Sequence, residues 1–420
     1  MEKNKISYLL LLFILLSIFL SFYINEDSTG GAQNDYNHHE KYIFLFAENF
    51  KDTFNKYGNE FMARNSPVFY ILQSVLIKAG ATIEIVNYSN IIILPLLFII
   101  FIKCIDVKYA FIKFSYRILF CSIIFISPTV RSLVVWPYPF IWGLLFFLLS
   151  IYFYLKFNVA NNNKKFNYSI YNVFFLALSS YITPNFSIFS IFYLYNFYNY
   201  FKNFEKKKIL LIIFFNLLLA SPAIFYYIKT DFYIFKYTVE SVDYLTKYNF
   251  FNKIIIITSL IFFYFIPFIN IKDLKKLKVK ILLQKKSTIL ALVLCFLSFS
   301  LFNFPSNLGF GGGIFLHLSN KLFDNYYLLF LIFILAITIF YHYGMFNKNN
   351  LILFFCLIAY NAQTSIYHKY FDPLLYFIII LLFQFNSKIK LSLNITLFYK
   401  IFIFYGSFLV ISLFKKLIIY

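Results

Sequence analysis

Ser7-Tyr-Leu-Leu-Leu-Leu-Phe-Ile-Leu-Leu-Ser-Ile-Phe-Leu-Ser-Phe-Tyr-Ile24 decides how the rest of the chain is read. An apolar run of about 18 residues is long enough to cross most of a bilayer. Met1-Glu-Lys-Asn-Lys5 precedes it. A cleaved signal has an apolar core of about 7–15 residues and ends at small residues. Here the run is longer, and Tyr23-Ile-Asn-Glu-Asp27 is a poor cleavage site. The stretch therefore predicts an uncleaved anchor with a cytoplasmic N-terminus. The first long polar interval follows it and contains Gly30-Gly31-Ala-Gln-Asn-Asp35-Tyr-Asn-His38-His39-Glu40.

Composition extends the membrane reading to the whole chain. Of 420 residues, 61% are hydrophobic and only 13% charged. Soluble domains carry about 45–50% apolar and about 25% charged residues, so a bilayer must solvate the surplus here. The net charge of +21 would suggest nucleic acid in a soluble protein. In this chain the lysines gather in loops between apolar runs instead, as membrane topology requires. Four cysteines (104, 121, 295 and 356) lie in or beside apolar runs without metal-ligand or disulfide spacing. Neither a metal nor an organic cofactor is indicated.

The chain reads as an all-α, polytopic bundle of about 13 spans forming one transmembrane domain over residues 1–420, with no soluble domain. Spans are expected near 7–24, 88–105, 110–128, 139–156, 168–183, 185–201, 209–228, 252–271, 287–303, 325–343, 350–364, 373–386 and 397–414. With this placement the inside loops hold about twice the Lys and Arg of the outside loops, which supports the orientation. The basic run 272–286 is expected to face anionic headgroups on the inside. A bacterial inner membrane is the expected location.

Residues 25–87 form the first outer loop. Within it, 36–57 mixes apolar and polar positions at helical spacing. Residues 67–79 are apolar but too short to span. Both predict helices lying along the membrane surface.

Three constellations carry chemistry. Asp35 follows a Gly-Gly pair and either caps the helix expected to start at Tyr36 or serves as a general base. His38 and His39 lie one turn on and are candidate ligand contacts. Arg131 is the single charge in the second outer loop, and a guanidinium suits bidentate phosphate contact. Tyr367-His368-Lys369-Tyr370, on a late outer loop, would cradle a phosphate leaving group, while Asp372-Pro373 reads as an ordinary helix start. Gly309-Phe-Gly-Gly-Gly313 reads as a flexible loop that closes over substrate.

Taken in order, these pieces resemble the GT-C superfamily of integral-membrane glycosyltransferases. That group includes the protein O-mannosyl, lipid A aminoarabinose and lipopolysaccharide sugar transferases. Asp35 stands where the family has its loop acid. Tyr42 and Ala47-Glu48-Asn49 look like the continuation, and Asn65-Ser-Pro-Val-Phe-Tyr70 is similar to the start of the second surface helix. Ser127-Pro128 through Arg131 looks like the second-loop motif, and Tyr367 to Tyr370 with Pro373 like the late donor-phosphate motif. Many members carry an adjacent acidic pair, whereas Asp35 follows Asn34. The second loop lacks the acid of metal-dependent members, which argues for a metal-independent reaction. The resemblance implies transfer from a polyprenyl-phosphate sugar to a lipid-linked, glycan or protein acceptor, with inversion by single displacement. A polysaccharide polymerase is the alternative enzyme, and a lipid-linked oligosaccharide flippase the alternative transporter.

Overall fold

The computed structural model describes residues 2–58, 60–61, 65–202, 205–229, 250–270, 296, 298–304, 311–361, 363, 365–385 and 393–419. The expected span 287–303, for the most part, and the basic run 272–286 lie outside the described residues, as does the start of the glycine stretch. No strand occurs among the described residues. The secondary structure is helical, joined by short irregular segments and a single bridge between Gly311 and Ile366.

The chain divides into two compact units, Met1–Tyr237 with Leu393–Tyr420, and Thr238–Ser392. The first contains α1 (Glu2–Tyr23), α2 (Ala32–Glu48), α3 (Phe50–Lys56), α4 (Val68–Lys78), α5 (Ile83–Ser89), α6 (Ile93–Lys108), α7 (Phe114–Ser122), α8 (Pro128–Val135) and α9 (Pro139–Val159). It continues with α10 (Asn162–Ile182), α11 (Phe189–Phe201) and α12 (Lys206–Lys229). The second unit contains α13 (Phe250–Phe265), α14 (Gly313–Phe323), α15 (Tyr327–His342), α16 (Lys348–Ala359) and α17 (Leu374–Phe377). The last helix, α18 (Ile395–Ile419), belongs to the first unit, where Phe398 meets the edge of Phe120 on α7 at 6.0 Å.

Among the described residues, five helical stretches are long and apolar enough to cross a membrane: Ile83–Lys108, Pro139–Val159, Lys206–Tyr226, Phe250–Phe268 and Ile395–Phe414. A sixth results if Phe114–Ile126 and Pro128–Val135, bent by 63°, count as one broken span. Thirteen were expected. Most of the others form helices too short for the roughly 20 residues a crossing needs. The 350–364 segment is helical only over Lys348–Ala359, and the 373–386 segment over Leu374–Phe377 plus one π-helical turn, Ile378–Leu382. Residues 374–382 are buried throughout, so a run of core residues produced that apolar signal. The 168–183 segment lies in a helix of sufficient length, α10, whose first half is polar.

The helices expected within 25–87 form at 32–48, 50–56 and 68–78. The predicted 36–57 helix breaks at Asn49, whose side chain accepts from Asp52 N at 3.1 Å and so starts α3. α2 buries Ala32, Tyr36, His39, Ile43 and Phe46, a stripe at spacings of four and three that faces one side of a 3.6-residue helix. Phe69 and Tyr70 of α4 meet this stripe, and Ile182, Trp142 and Phe146 form the floor beneath. Apolar area removed from water at about 25 cal/mol per Å² holds such a layer together. Polar bonds then fix its position. Trp142 Nε1 donates to Asn90 Oδ1 at 2.6 Å, Asn90 Nδ2 donates to Gln73 Oε1 of α4, and Ser66 Oγ donates to the Tyr181 carbonyl.

In the second unit α13 is the core helix, with 78% of its apolar window buried. Phe262, Phe263 and Phe265 pack on Phe315 and Phe340.

Candidate functional site

Two of the three sequence constellations lie in the first unit, on segments bonded directly to each other. Glu26 and Asp27 follow α1 immediately. Glu26 is fully buried, and Arg131 of α8 is 5% exposed. Arg131 Nε lies 3.0 Å from both carboxylate oxygens, and Nη2 lies 2.7 Å from Oε2. The same guanidinium donates back to α1, to Ser17 Oγ at 2.9 Å and the Ser17 carbonyl at 3.1 Å. A second set of bonds runs beside this pair. Ser28 Oγ reaches the Pro128 carbonyl and Ser132 Oγ, each at 3.0 Å, and Thr29 N donates to Ser132 Oγ. The segment that follows α1 is thereby fastened to the start of α8.

The sequence placed the helix start, and a capping aspartate, at 35–36. The helix begins at Ala32, and Asp27 satisfies its first amides. Asp27 Oδ1 accepts from Ala32 N at 3.0 Å, and the carboxylate accepts from Gly31 N at 2.9 and 3.1 Å. Gly30 and Gly31 hold positive φ of 70° and 131°, which lets the loop reverse between the carboxylate and the helix. Asp35 stands in the first helical turn, half-buried at the edge of the buried stripe.

Behind Asp35 lies an aromatic wall. His39, four residues on and buried, shares a 2.6 Å hydrogen bond between Nδ1 and Tyr70 Oη. Tyr138 meets the edge of His39 at 4.8 Å, and Tyr42 and Tyr57 stand against Tyr70. Burial raises the Tyr70 phenol above its ordinary pKa, and the Asp35 carboxylate contributes in the same direction. Asp35 is thus within electrostatic reach of that hydroxyl, which stays protonated. Tyr36 packs on Trp136 at 5.8 Å and donates to Asn87 Oδ1 at 2.6 Å. His38 points off the stripe and is exposed. Among the described residues no three His, Cys, Asp or Glu side chains come together as metal ligands, so Asp35, His38 and His39 do not form such a set.

The third constellation belongs to the second unit. Lys253, in the first turn of α13, donates to the Asn361 carbonyl. Tyr264, in its last turn, bonds His368 Nε2 at 2.8 Å. Eleven residues of helix separate these anchors, about 16 Å at 1.5 Å per residue. The segment from Asn361 to His368 is therefore anchored near both ends of α13. Ile366 on this segment accepts from Gly312 N at 2.8 Å. A Cβ on Gly311 would lie 2.3 Å from the Ile366 oxygen. The described part of the glycine stretch thus serves close backbone approach, where the sequence reading had a mobile lid. The ammonium of Lys369 sits 5.5 and 5.7 Å from the ring centres of Tyr367 and Tyr370, held by cation–π attraction. Asp372 and His317 lie within electrostatic reach of His368.

The sequence reading missed Glu26, Asp27, Tyr70, Tyr138, Ser132 and Tyr264. One signal for them was present: Glu26-Asp27 is an adjacent acidic pair directly after the first apolar run. No family model, no curated protein and no solved structure matches the chain.

Proposed function

We propose that the protein is a membrane glycosyltransferase acting on a lipid-phosphate-linked sugar, with Asp35 as its general base. The observation that carries this reading is the placement of Asp35. It is half-buried at the end of a surface helix, beside the His39–Tyr70–Tyr138 wall, on a loop tied to the second outer loop. A carboxylate between water and an aromatic floor can take a proton from an acceptor hydroxyl. As the hydroxyl oxygen bonds to the anomeric carbon, the bond from that carbon to the lipid phosphate breaks. The bonding electrons leave with the phosphate. His38, exposed one turn from Asp35, is a proposed contact in the first unit, and Tyr367, His368, Lys369 and Tyr370 are proposed, within the second unit alone, as a phosphate-binding cluster. Arg131 enters this scheme through Glu26, holding the two outer loops together.

The test is transfer in vitro from a panel of polyprenyl-phosphate sugars by wild type, Asp35→Asn and Asp27→Asn. Asp35→Asn is expected to lose turnover by 10²-fold or more while eluting as wild type on size exclusion. Full activity in that variant would remove Asp35 from the mechanism. Loss in a well-folded Asp27→Asn alone would move the base to Asp27.

A transporter of lipid-linked glycans is the second reading, favoured by the non-helical segment beside α13. Irregular backbone at membrane depth occurs where it is enclosed by protein or lines a cavity. Movement of an intact lipid-linked glycan across proteoliposomes, with no new glycosidic bond, would select that reading.

A further inference from the structure

The lysines at one end of the first unit form a structure of their own. α9 finishes, α10 starts, α11 finishes and α12 starts there. Ring contacts bring these four helix ends together. Phe157 of α9 lies 6.0 Å from Phe201 of α11 and 5.4 Å from Tyr200. Tyr200 donates to Asn162 at the start of α10. The ammonium groups rest on this aromatic platform. Lys165 sits 4.0 Å from the Tyr200 centroid and 5.3 Å from that of Phe157, and Lys208 sits 5.8 Å from Phe166. Lys164, Lys206 and Lys207 stand exposed around it. Glu205 is the one acid in these connections, and it pairs with Lys208.

Two further observations say what faces this collar. Lys206–Lys208 open a helix whose apolar window is only 11% buried. Leu210, Leu211, Phe214, Leu217 and Leu218 are exposed along it, so its sides face hydrocarbon. A lysine at the end of such a helix lies at headgroup depth, its stem along the apolar surface and its ammonium outward. Lys156, meanwhile, is in the last turn of the span Pro139–Val159.

We propose that this collar binds anionic phospholipid headgroups, with the exposed Lys164, Lys206 and Lys207 contacting lipid phosphate and Lys165 and Lys208 bracing them from the aromatic platform. The inference is independent of any sugar chemistry.

Thermal stability of the full-length protein in a zwitterionic detergent, titrated with phosphatidylglycerol, tests it. Phosphatidylglycerol should stabilise and phosphatidylcholine should not. Each lysine near an anionic surface contributes roughly fivefold, about 1 kcal/mol. The triple variant K206Q/K207Q/K208Q should therefore raise the half-maximal lipid concentration by about 25- to 125-fold, the lower figure allowing for the Glu205 pair. The triple Lys→Arg variant should behave as wild type, which separates loss of charge from loss of fold. K41Q/K51Q in the first outer loop should change nothing. The proposal is overturned by equal stabilisation from the two lipids, by an unshifted K206Q/K207Q/K208Q titration, or by an equal loss from K41Q/K51Q. Stabilisation by inorganic phosphate as strong as by the lipid would also overturn it, because the collar would then be a soluble-anion site.

Discussion

Removing one partner of the Glu26–Arg131 pair should be among the most damaging single changes available in the first unit. The carboxylate is fully buried and the guanidinium 5% exposed, with three N–O contacts between 2.7 and 3.0 Å. Taking either ion out of water costs several kcal/mol, and the opposite charge is the main offset, with the two Ser17 bonds adding to it for the guanidinium. Glu26→Gln leaves a buried cation facing a neutral amide, and Arg131→Gln leaves a buried anion. Each should cost about 3–5 kcal/mol. The double variant Glu26→Gln/Arg131→Met removes both charges and should cost far less than the sum of the singles, because no isolated ion remains. Equilibrium unfolding in mixed SDS micelles, run as a double-mutant cycle, gives the coupling directly. Either single variant lying within about 1 kcal/mol of wild type, or a double variant costing the full sum, would refute the reasoning. The cycle also separates two roles for Arg131. A residue that holds donor phosphate raises KM when changed to Gln, whereas Glu26→Gln leaves KM alone. A structural pair moves stability with either change.

Asp27→Ala removes the carboxylate that satisfies the first amides of α2, and should cost about 1–2 kcal/mol by the same unfolding measurement. Its protection pattern in hydrogen exchange should change at residues 31–33 first, and unchanged exchange there would remove the capping role. Gly311→Ala forces a Cβ to within 2.3 Å of the Ile366 oxygen at a φ of +79°. It should destabilise by more than the roughly 1–2 kcal/mol of left-handed strain alone. Gly30→Ala, with φ +70° and open space around the site, should show only that strain, so equal costs for the two would contradict the crossing at Ile366.

How much of this was legible in the sequence depended on the range of the interaction. The five long apolar helices announce themselves because about 20 consecutive residues must all satisfy lipid. The 68–78 helix was legible as a short one, because its apolar run is too brief to cross a bilayer. Spans were also expected where apolar runs are buried in protein, as at 374–382, since a buried core and a bilayer select the same side chains. The break at Asn49 was visible in principle, because Asn followed three residues on by Asp52 is a helix-start pattern. The pairing of Glu26 with Arg131, 105 residues apart, leaves no local trace. Nor does the bond between His39 and Tyr70. Asp35 drew attention as an acid beside glycines, and the acids that bond Arg131 and the first amides of α2, Glu26 and Asp27, stood a few residues earlier.

The Glu26–Arg131 pair also imposes an order on biogenesis. Ribosomes deliver the N-terminus first, so Glu26 leaves the exit tunnel long before Arg131 exists. Until the broken helix pair around Pro128 has entered the membrane, the glutamate has no counter-charge and is better off in water than in its final seat. A nascent chain stopped short of residue 131 should hold its first helix loosely, with the loop beyond it open to modification reagents. One arrested a few tens of residues later, once the arginine has cleared the ribosome and the insertion machinery, should have it locked. Assembly of the first unit would then be timed by a single late-arriving cation.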